Sequence, residues 1–156
     1  VGFWRDPANG TPNWTQSGLI QRPSWRVNCQ NATSFLVPVI GVSGTPQLGT
    51  TYQPTVSDAP PSMPAVLASG LSNQIYQGQS LPLVLPGAPG CDLLVAADVL
   101  DLTATSSAGF AIRPIAVPNQ PPLVGLELYH QWYVYDSAAN TFGFISSNAG
   151  RALIRN

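Results

Sequence analysis

The sequence contains no lysine, one histidine and one glutamate, and charged residues occupy only 8% of its 156 positions. Ordinary globular proteins carry about 25% charged residues. The six arginines and seven acidic residues leave a formal net charge of −1. Because phosphate recognition requires clustered cations, this composition excludes an electrostatic nucleic-acid binder. It also argues against attraction to an anionic membrane surface.

Long apolar runs and long uninterrupted segments are lacking as well. Sixteen prolines and fourteen glycines punctuate the chain, and proline breaks the interior of a helix. No apolar run approaches the ~20 residues that span a bilayer, so we expect no membrane span. The sequence starts at Val1 without a methionine or a signal peptide. We interpret it as a mature, processed product of secretion.

Residues suited to catalysis are scarce. The chain has no G-x-S-x-G nucleophile motif, and its single glutamate, Glu127, would need an opposing aspartate to form a glycosidase pair. His130, the single histidine, lies in the same apolar segment. We predict structural roles for both side chains, no enzymatic activity and no cofactor.

The strongest predicted strand covers Leu126–Asp136, which holds three tyrosines, one tryptophan and no glycine or proline. Aromatic and aliphatic side chains favour strands. Asp136–Asn140 has turn chemistry, and Thr141–Ser146 predicts a returning strand. We therefore predict a hairpin with a five-residue loop, placed at the centre of a sheet.

Shorter strands are predicted along the rest of the chain, separated by proline and glycine turns. They are Phe35–Val42, Thr50–Ser57, Ala65–Leu71, Leu81–Leu85, Leu93–Ala96, Val99–Thr105, Phe110–Val117 and Arg151–Ile154. Pro54 predicts an edge position for its strand. The pattern indicates an all-β protein, an antiparallel β-sandwich of about 8–10 strands that is jelly-roll or immunoglobulin-like.

Residues 1–27 differ in composition from the rest. They hold three of the four tryptophans, with turn-forming residues between them and no hydrophobic periodicity. We predict an extended N-terminal arm over 1–27 and a β-sandwich domain over 28–156. The predicted anchors of the arm in a subunit interface are Phe3, Trp4, Trp14, Leu19, Ile20 and Trp25.

The two cysteines, Cys29 and Cys91, are 62 positions apart and neither belongs to a C-x-x-C pair. This pattern, with one histidine in the chain, argues against a zinc site. A disulfide is the favoured interpretation, and two buried free thiols are the alternative. Closing a loop of this length would stabilise the fold by about 4 kcal/mol in the chain-entropy model.

The segments LPLVLPGAPGC, PNQPPLVGLELYHQ and DSAANTFGFISSN resemble a family of secreted bacterial β-domains with no known activity. The matching positions are Leu81, Pro82, Leu83, Gly87–Cys91, Pro118, Asn119, Leu123, Gly125, Tyr129, Gln131, Asp136, Ala139, Asn140, Gly143, Ser147 and Asn148. The resemblance covers about residues 28 to 155. It implies a β-sandwich and an extracellular location.

Two candidate ligand sites follow from the residue types. Tyr129, Tyr133 and Tyr135 would share one face of their strand, and an exposed aromatic face could stack on sugar rings. The alternative is that both faces are packed.

Asp92, Asp98 and Asp101 lie within ten residues of one another, and carboxylates with nearby carbonyls are calcium ligands. Their spacing matches no EF-hand loop, so turn and strand-end roles are the favoured alternative, with no metal.

From these features we predict an extracellular, cell-surface structural subunit that forms homo-oligomers or polymers. The arm of one copy would add a strand to the sheet of another, giving a filament unless the contact closes into a ring. The alternative function is a carbohydrate-binding or adhesion module of a secreted protein.

Overall fold

The structure is a computed structural model that describes residues 19–22, 29 and 37–156. Eleven strands and one short 3-10 helix, Pro121–Leu123, are formed by these residues. The strands are β1 (Leu19–Arg22), β2 (Val39–Ser43), β3 (Thr51–Ser57), β4 (Pro64–Gly70), β5 (Ile75–Tyr76), β6 (Gln79–Ser80), β7 (Val99–Ala104), β8 (Ala111–Ile112), β9 (Ile115–Ala116), β10 (Glu127–Tyr135) and β11 (Phe144–Leu153).

The strands form an all-β antiparallel sandwich, as predicted. The larger sheet has the order β1-β11-β10-β4-β7. The smaller sheet has the order β2-β3-β8, and β9 also pairs with β3. β5 and β6 form a separate hairpin. All of the strand pairs are antiparallel.

The predicted central hairpin is confirmed, because β10 and β11 are antiparallel neighbours in the middle of the larger sheet. Its loop was predicted too short. The N–H of Phe142 donates to the Gly87 carbonyl, and the N–H of Asp136 donates to the Gly143 carbonyl. Residues 141–143 therefore belong to the loop. β11 then continues to Leu153, so the separate strand predicted at Arg151–Ile154 is wrong.

The edge position predicted from Pro54 is wrong, since β3 has β2 on one side and β8 and β9 on the other. Proline is tolerated here because the partner is interrupted at the same place. Pro54 accepts a hydrogen bond from the N–H of Arg113, and Pro114 follows directly. These prolines remove ladder donors, which divides the partner into β8 and β9.

The strands predicted at Leu81–Leu85 and Leu93–Ala96 are also wrong. These segments meet in a single bridge between Leu83 and Leu93. Pro82 and Pro86 lack the N–H that a longer ladder would need. The segments bury apolar side chains against the outer face of the larger sheet instead.

The main core lies between the two sheets. It contains the fully buried side chains of Trp132 and Val134 from β10, Leu67 from β4 and Tyr52 and Val56 from β3. A second cluster lies on the opposite face of the larger sheet, under residues 81–97. Both faces of β10 are therefore packed, which explains why aromatic and aliphatic residues occur on both of its faces.

The predicted disulfide between Cys29 and Cys91 is confirmed, and both residues are buried in the main core. Among the described residues, the structure contains no helix that is long and apolar enough to span a membrane.

Candidate functional site

Part of the predicted arm forms the outermost strand of the larger sheet. β1 pairs with β11 in the register Leu19↔Ala152 to Arg22↔Ala149. Leu19 and Ile20 therefore lie in an edge strand that pairs with β11 of the same chain. The other predicted interface anchors, Phe3, Trp4, Trp14 and Trp25, lie outside the described residues.

The arm is anchored at one point just after β1. Cys29, which is bonded to Cys91, accepts a hydrogen bond from the N–H of Ser146 in β11 at 2.8 Å. Cys29 lies seven positions after Arg22, and an extended chain of that length spans at most about 24 Å. The disulfide therefore ties the chain to the core within about 24 Å of the end of β1.

A bulge next to this edge sets where β1 can pair. Gln131 lies opposite Ala149, but Tyr133 lies opposite Ser146. Ser147 and Asn148 therefore together oppose the single residue Trp132 of β10. The Ser147 hydroxyl accepts the N–H of Trp132 at 2.9 Å. β1 pairs only with the regular part of β11 beyond the bulge.

The opposite edge of the larger sheet is β7, which is apolar and exposed. Leu100 is 64% exposed and Leu102 is 72% exposed. The single charge on this strand, Asp101, forms an ion pair at 2.9 Å with Arg113, which lies between β8 and β9. Within the described residues, β7 pairs on one side only, with β4. Exposed strand edges are templates for pairing with another chain.

The predicted aromatic face of β10 is covered over much of its length. Gln131 holds the covering segment down: its amide donates to the carbonyls of Asp92 and Ser147, and its Oε1 accepts the N–H of Leu94 and the hydroxyl of Tyr133. Tyr133 is 9% exposed. Burial, and then the nearby Asp92 charge, raise the pKa of Tyr133. Its ring is not available for stacking on a ligand.

The other two tyrosines of the predicted ligand face lie at its ends. Tyr129 is half-buried and donates a hydrogen bond to Glu127, which also forms an ion pair at 2.8 Å with Arg151. Tyr135 is exposed, and its ring packs against the Phe144 ring in a T-shaped arrangement. The three tyrosines therefore do not form one continuous exposed surface.

The calcium site considered for Asp92, Asp98 and Asp101 is not formed. Asp98 accepts the N–H of Leu71 at 3.1 Å, whereas Asp101 pairs with Arg113. Across residues 19–22, 29 and 37–156, no group of three or more His, Cys, Asp or Glu side chains could hold a metal. Asp98 and Asp101 therefore have separate structural partners.

His130 joins the two sheets inside the core. Its Nε2 lies 2.9 Å from the Tyr52 hydroxyl of β3, and its Nδ1 lies 2.8 Å from the Ser69 hydroxyl of β4. A neutral imidazole has one donor and one acceptor, so one hydroxyl accepts and the other donates. Burial lowers the pKa of His130 to about 4 and raises that of Tyr52. The arrangement stabilises the core and leaves His130 fully buried.

Comparison with models of known protein families gave no match, and comparison with curated proteins gave none. The family resemblance therefore stays a prediction. Sequence reasoning missed two features of the edges: β1 itself, and the exposed apolar side of β7. The signal for β1 was the apolar pair Leu19–Ile20 between turn-forming segments. The signal for the exposed side of β7 was the pair Leu100 and Leu102. They are two positions apart, so their side chains lie on the same face of the strand.

Proposed function

We propose that this protein is a secreted structural subunit that assembles with copies of itself by exchange of the N-terminal arm. The observation that carries the proposal is the position of β1. This short strand comes from the predicted arm and occupies the outer edge of the larger sheet, next to β11. Its register with β11 defines a backbone ladder, and a strand from a neighbouring copy could form the same ladder.

The disulfide supports exchange over simple docking. Cys29 and Cys91 hold the chain immediately after the arm to the core, so releasing β1 does not require the sandwich to open. Because the arm of one copy would bind β11 of the next, donor and acceptor are different surfaces. Such a head-to-tail contact produces a filament, or a ring if the rotation closes.

Secretion is part of the same proposal. A disulfide in a domain without lysine fits an oxidising, extracellular compartment. The role requires no catalysis and no cofactor. The alternative proposal is carbohydrate binding. Because Tyr133 is buried, only Tyr129 and Tyr135 of the three predicted tyrosines could contact a sugar.

The experiment compares three forms of the protein by electron microscopy and sedimentation velocity. The first is the full chain. The second lacks residues 1–26 and keeps Cys29. The third carries Ile20→Pro and Gln21→Pro, which removes ladder donors from β1 whichever residue faces β11. Its matched control carries Ile20→Ala and Gln21→Ala.

We expect the full chain and the alanine control to polymerise, and the truncated and proline forms to remain folded without polymerising. Folding is checked by circular dichroism and by the intact Cys29–Cys91 bond. If the truncated and proline forms assemble into the same object as the full chain, the arm is not the connector.

A further inference from the structure

We propose that the β7 edge forms a second, twofold-symmetric contact between copies of this chain, in which two β7 strands pair antiparallel with Leu102 at the centre. The starting observation is the exposure of this edge. Leu102 is 72% exposed and Leu100 is 64% exposed, and they are the two most exposed large apolar residues among those described.

The backbone of β7 determines which groups face outward. The N–H of Thr105 donates to the Met63 carbonyl, which continues the register of β7 with β4. In an antiparallel ladder, alternate residues direct both backbone groups to the same neighbour. Val99, Asp101 and Thr103 therefore face β4. The outward N–H and C=O groups belong to Leu100, Leu102 and Ala104.

These outward groups are self-complementary. If Leu102 lies opposite Leu102 of a second copy, Leu100 lies opposite Ala104 on both sides of the twofold axis. All three outward residues then form hydrogen-bonded pairs, with about six main-chain hydrogen bonds. Their side chains share one face of the extended sheet, so the exposed leucines would pack together.

Charge favours this register over one of its two neighbouring alternatives. A shift that placed Leu100 opposite Leu102 would set Asp101 against Asp101, and directly opposed like charges are destabilising. With Leu102 at the centre, Asp101 lies opposite Thr103. Each Asp101 also keeps its ion pair with Arg113 of its own copy.

The expected contact is small. A six-residue strand is only about 20 Å long, and stable interfaces bury about 1,200–2,000 Å². We therefore expect a weak dimer, which an arm-linked polymer would strengthen by joining neighbouring chains laterally. A contact of this kind is best detected by covalent trapping.

The test uses single cysteine variants of the full chain under mild oxidation. A hydrogen-bonded pair has Cα atoms about 5.5 Å apart, which suits a disulfide. We expect Leu102→Cys to form a covalent dimer at least about tenfold faster than Ser107→Cys, an exposed control in the following turn. A mixture of Leu100→Cys and Ala104→Cys should also crosslink. Mass analysis confirms that Cys29–Cys91 stays intact.

The same measurement in the Ile20→Pro/Gln21→Pro background separates this contact from arm exchange. Crosslinking through Leu102→Cys should persist there, whether or not the arm connects subunits. The proposal is overturned if Leu102→Cys crosslinks no faster than Ser107→Cys. It is also overturned if crosslinking appears only in the proline background, because a segment of the arm would then occupy the edge. Faster crosslinking between Leu100→Cys and Leu102→Cys than between Leu100→Cys and Ala104→Cys would refute the register.

Discussion

The Tyr52 hydroxyl lies 2.9 Å from Nε2 of His130, in a contact that joins β3 of the smaller sheet to β10 of the larger one. Ser69 completes the arrangement on the other side of the imidazole. His130 is the only histidine of the chain and is fully buried. The stability of the sandwich should therefore depend on pH through this residue.

The free energy of unfolding should fall as pH decreases from about 6.5 to 4. Burial lowers the pKa of folded His130 to about 4, against about 6.5 in the unfolded chain. The unfolded state then binds the proton more tightly. The contribution of His130 to the free energy of unfolding is fully present above pH 6.5. It is lost as the pH falls to 4, and the total loss is about 3 kcal/mol.

Urea unfolding at several pH values measures this loss. The control is His130→Gln, which cannot titrate but keeps hydrogen-bonding capacity; carboxylates still titrate in both proteins. The His130 contribution is the difference between the two pH profiles. Parallel profiles for the two proteins would contradict the assignment.

Removing the Tyr52 hydroxyl should destabilise the protein at neutral pH. Tyr52→Phe leaves Nε2 of His130 without its hydroxyl partner in a buried position. Such a loss costs about 1–3 kcal/mol. Thermal or urea unfolding measures it, and Tyr135→Phe at an exposed position is the matched control with little expected effect. Equal stability of both variants would show that the contact contributes nothing.

Gln131→Glu should loosen the segment that covers the outer face of the larger sheet. The Gln131 amide donates to the carbonyls of Asp92 and Ser147, and a carboxylate cannot replace these donors. We expect a loss of about 2–4 kcal/mol and faster hydrogen exchange at Leu94. Gln79→Glu on exposed β6 controls for the change in charge. Unchanged exchange at Leu94 would argue against Gln131 as the residue that holds this segment.

Replacing both cysteines by alanine should lower the free energy of unfolding by about 4 kcal/mol, because the bond closes a loop of 62 positions. The free energy is measured by urea denaturation. The Cys29→Ala/Cys91→Ala protein also loses the anchor that follows β1. Intact mass before and after reduction and alkylation checks the bond itself, and two thiols that alkylate without reduction would refute it.

The sequence predicted the parts of the fold that depend on local pattern. The aromatic run of β10 and the turn residues after it indicated the central hairpin, since side-chain type and turn chemistry are local properties. The cysteine pair was also predictable from the chain's composition. The apolar runs Leu81–Leu85 and Leu93–Ala96 were wrongly predicted to be strands. They pack against a sheet without joining its ladder of hydrogen bonds.

The features that depend on distant partners were not predictable. Pro54 signals an edge unless its partner strand is also interrupted, as it is at Pro114. The contacts of His130 reach residues 78 and 61 positions away. The bulge at Ser147 and Asn148 appears only when the register of β10 and β11 is known. β1 is short, and its pairing partner lies at the far end of the chain.

The central claim is that β1 of one copy occupies the edge of β11 in another, and a double cysteine variant tests it most directly. Leu19 and Ala152 are partners in the register, so Leu19→Cys with Ala152→Cys should form a disulfide wherever β1 pairs. Leu19→Cys with Ala104→Cys, on the opposite edge of the sheet, is the control. The account predicts a ladder of covalent multimers on a non-reducing gel for the first pair and none above background for the second. A crosslinked product that consists of single chains alone would show that the arm pairs within its own copy and would contradict assembly by arm exchange.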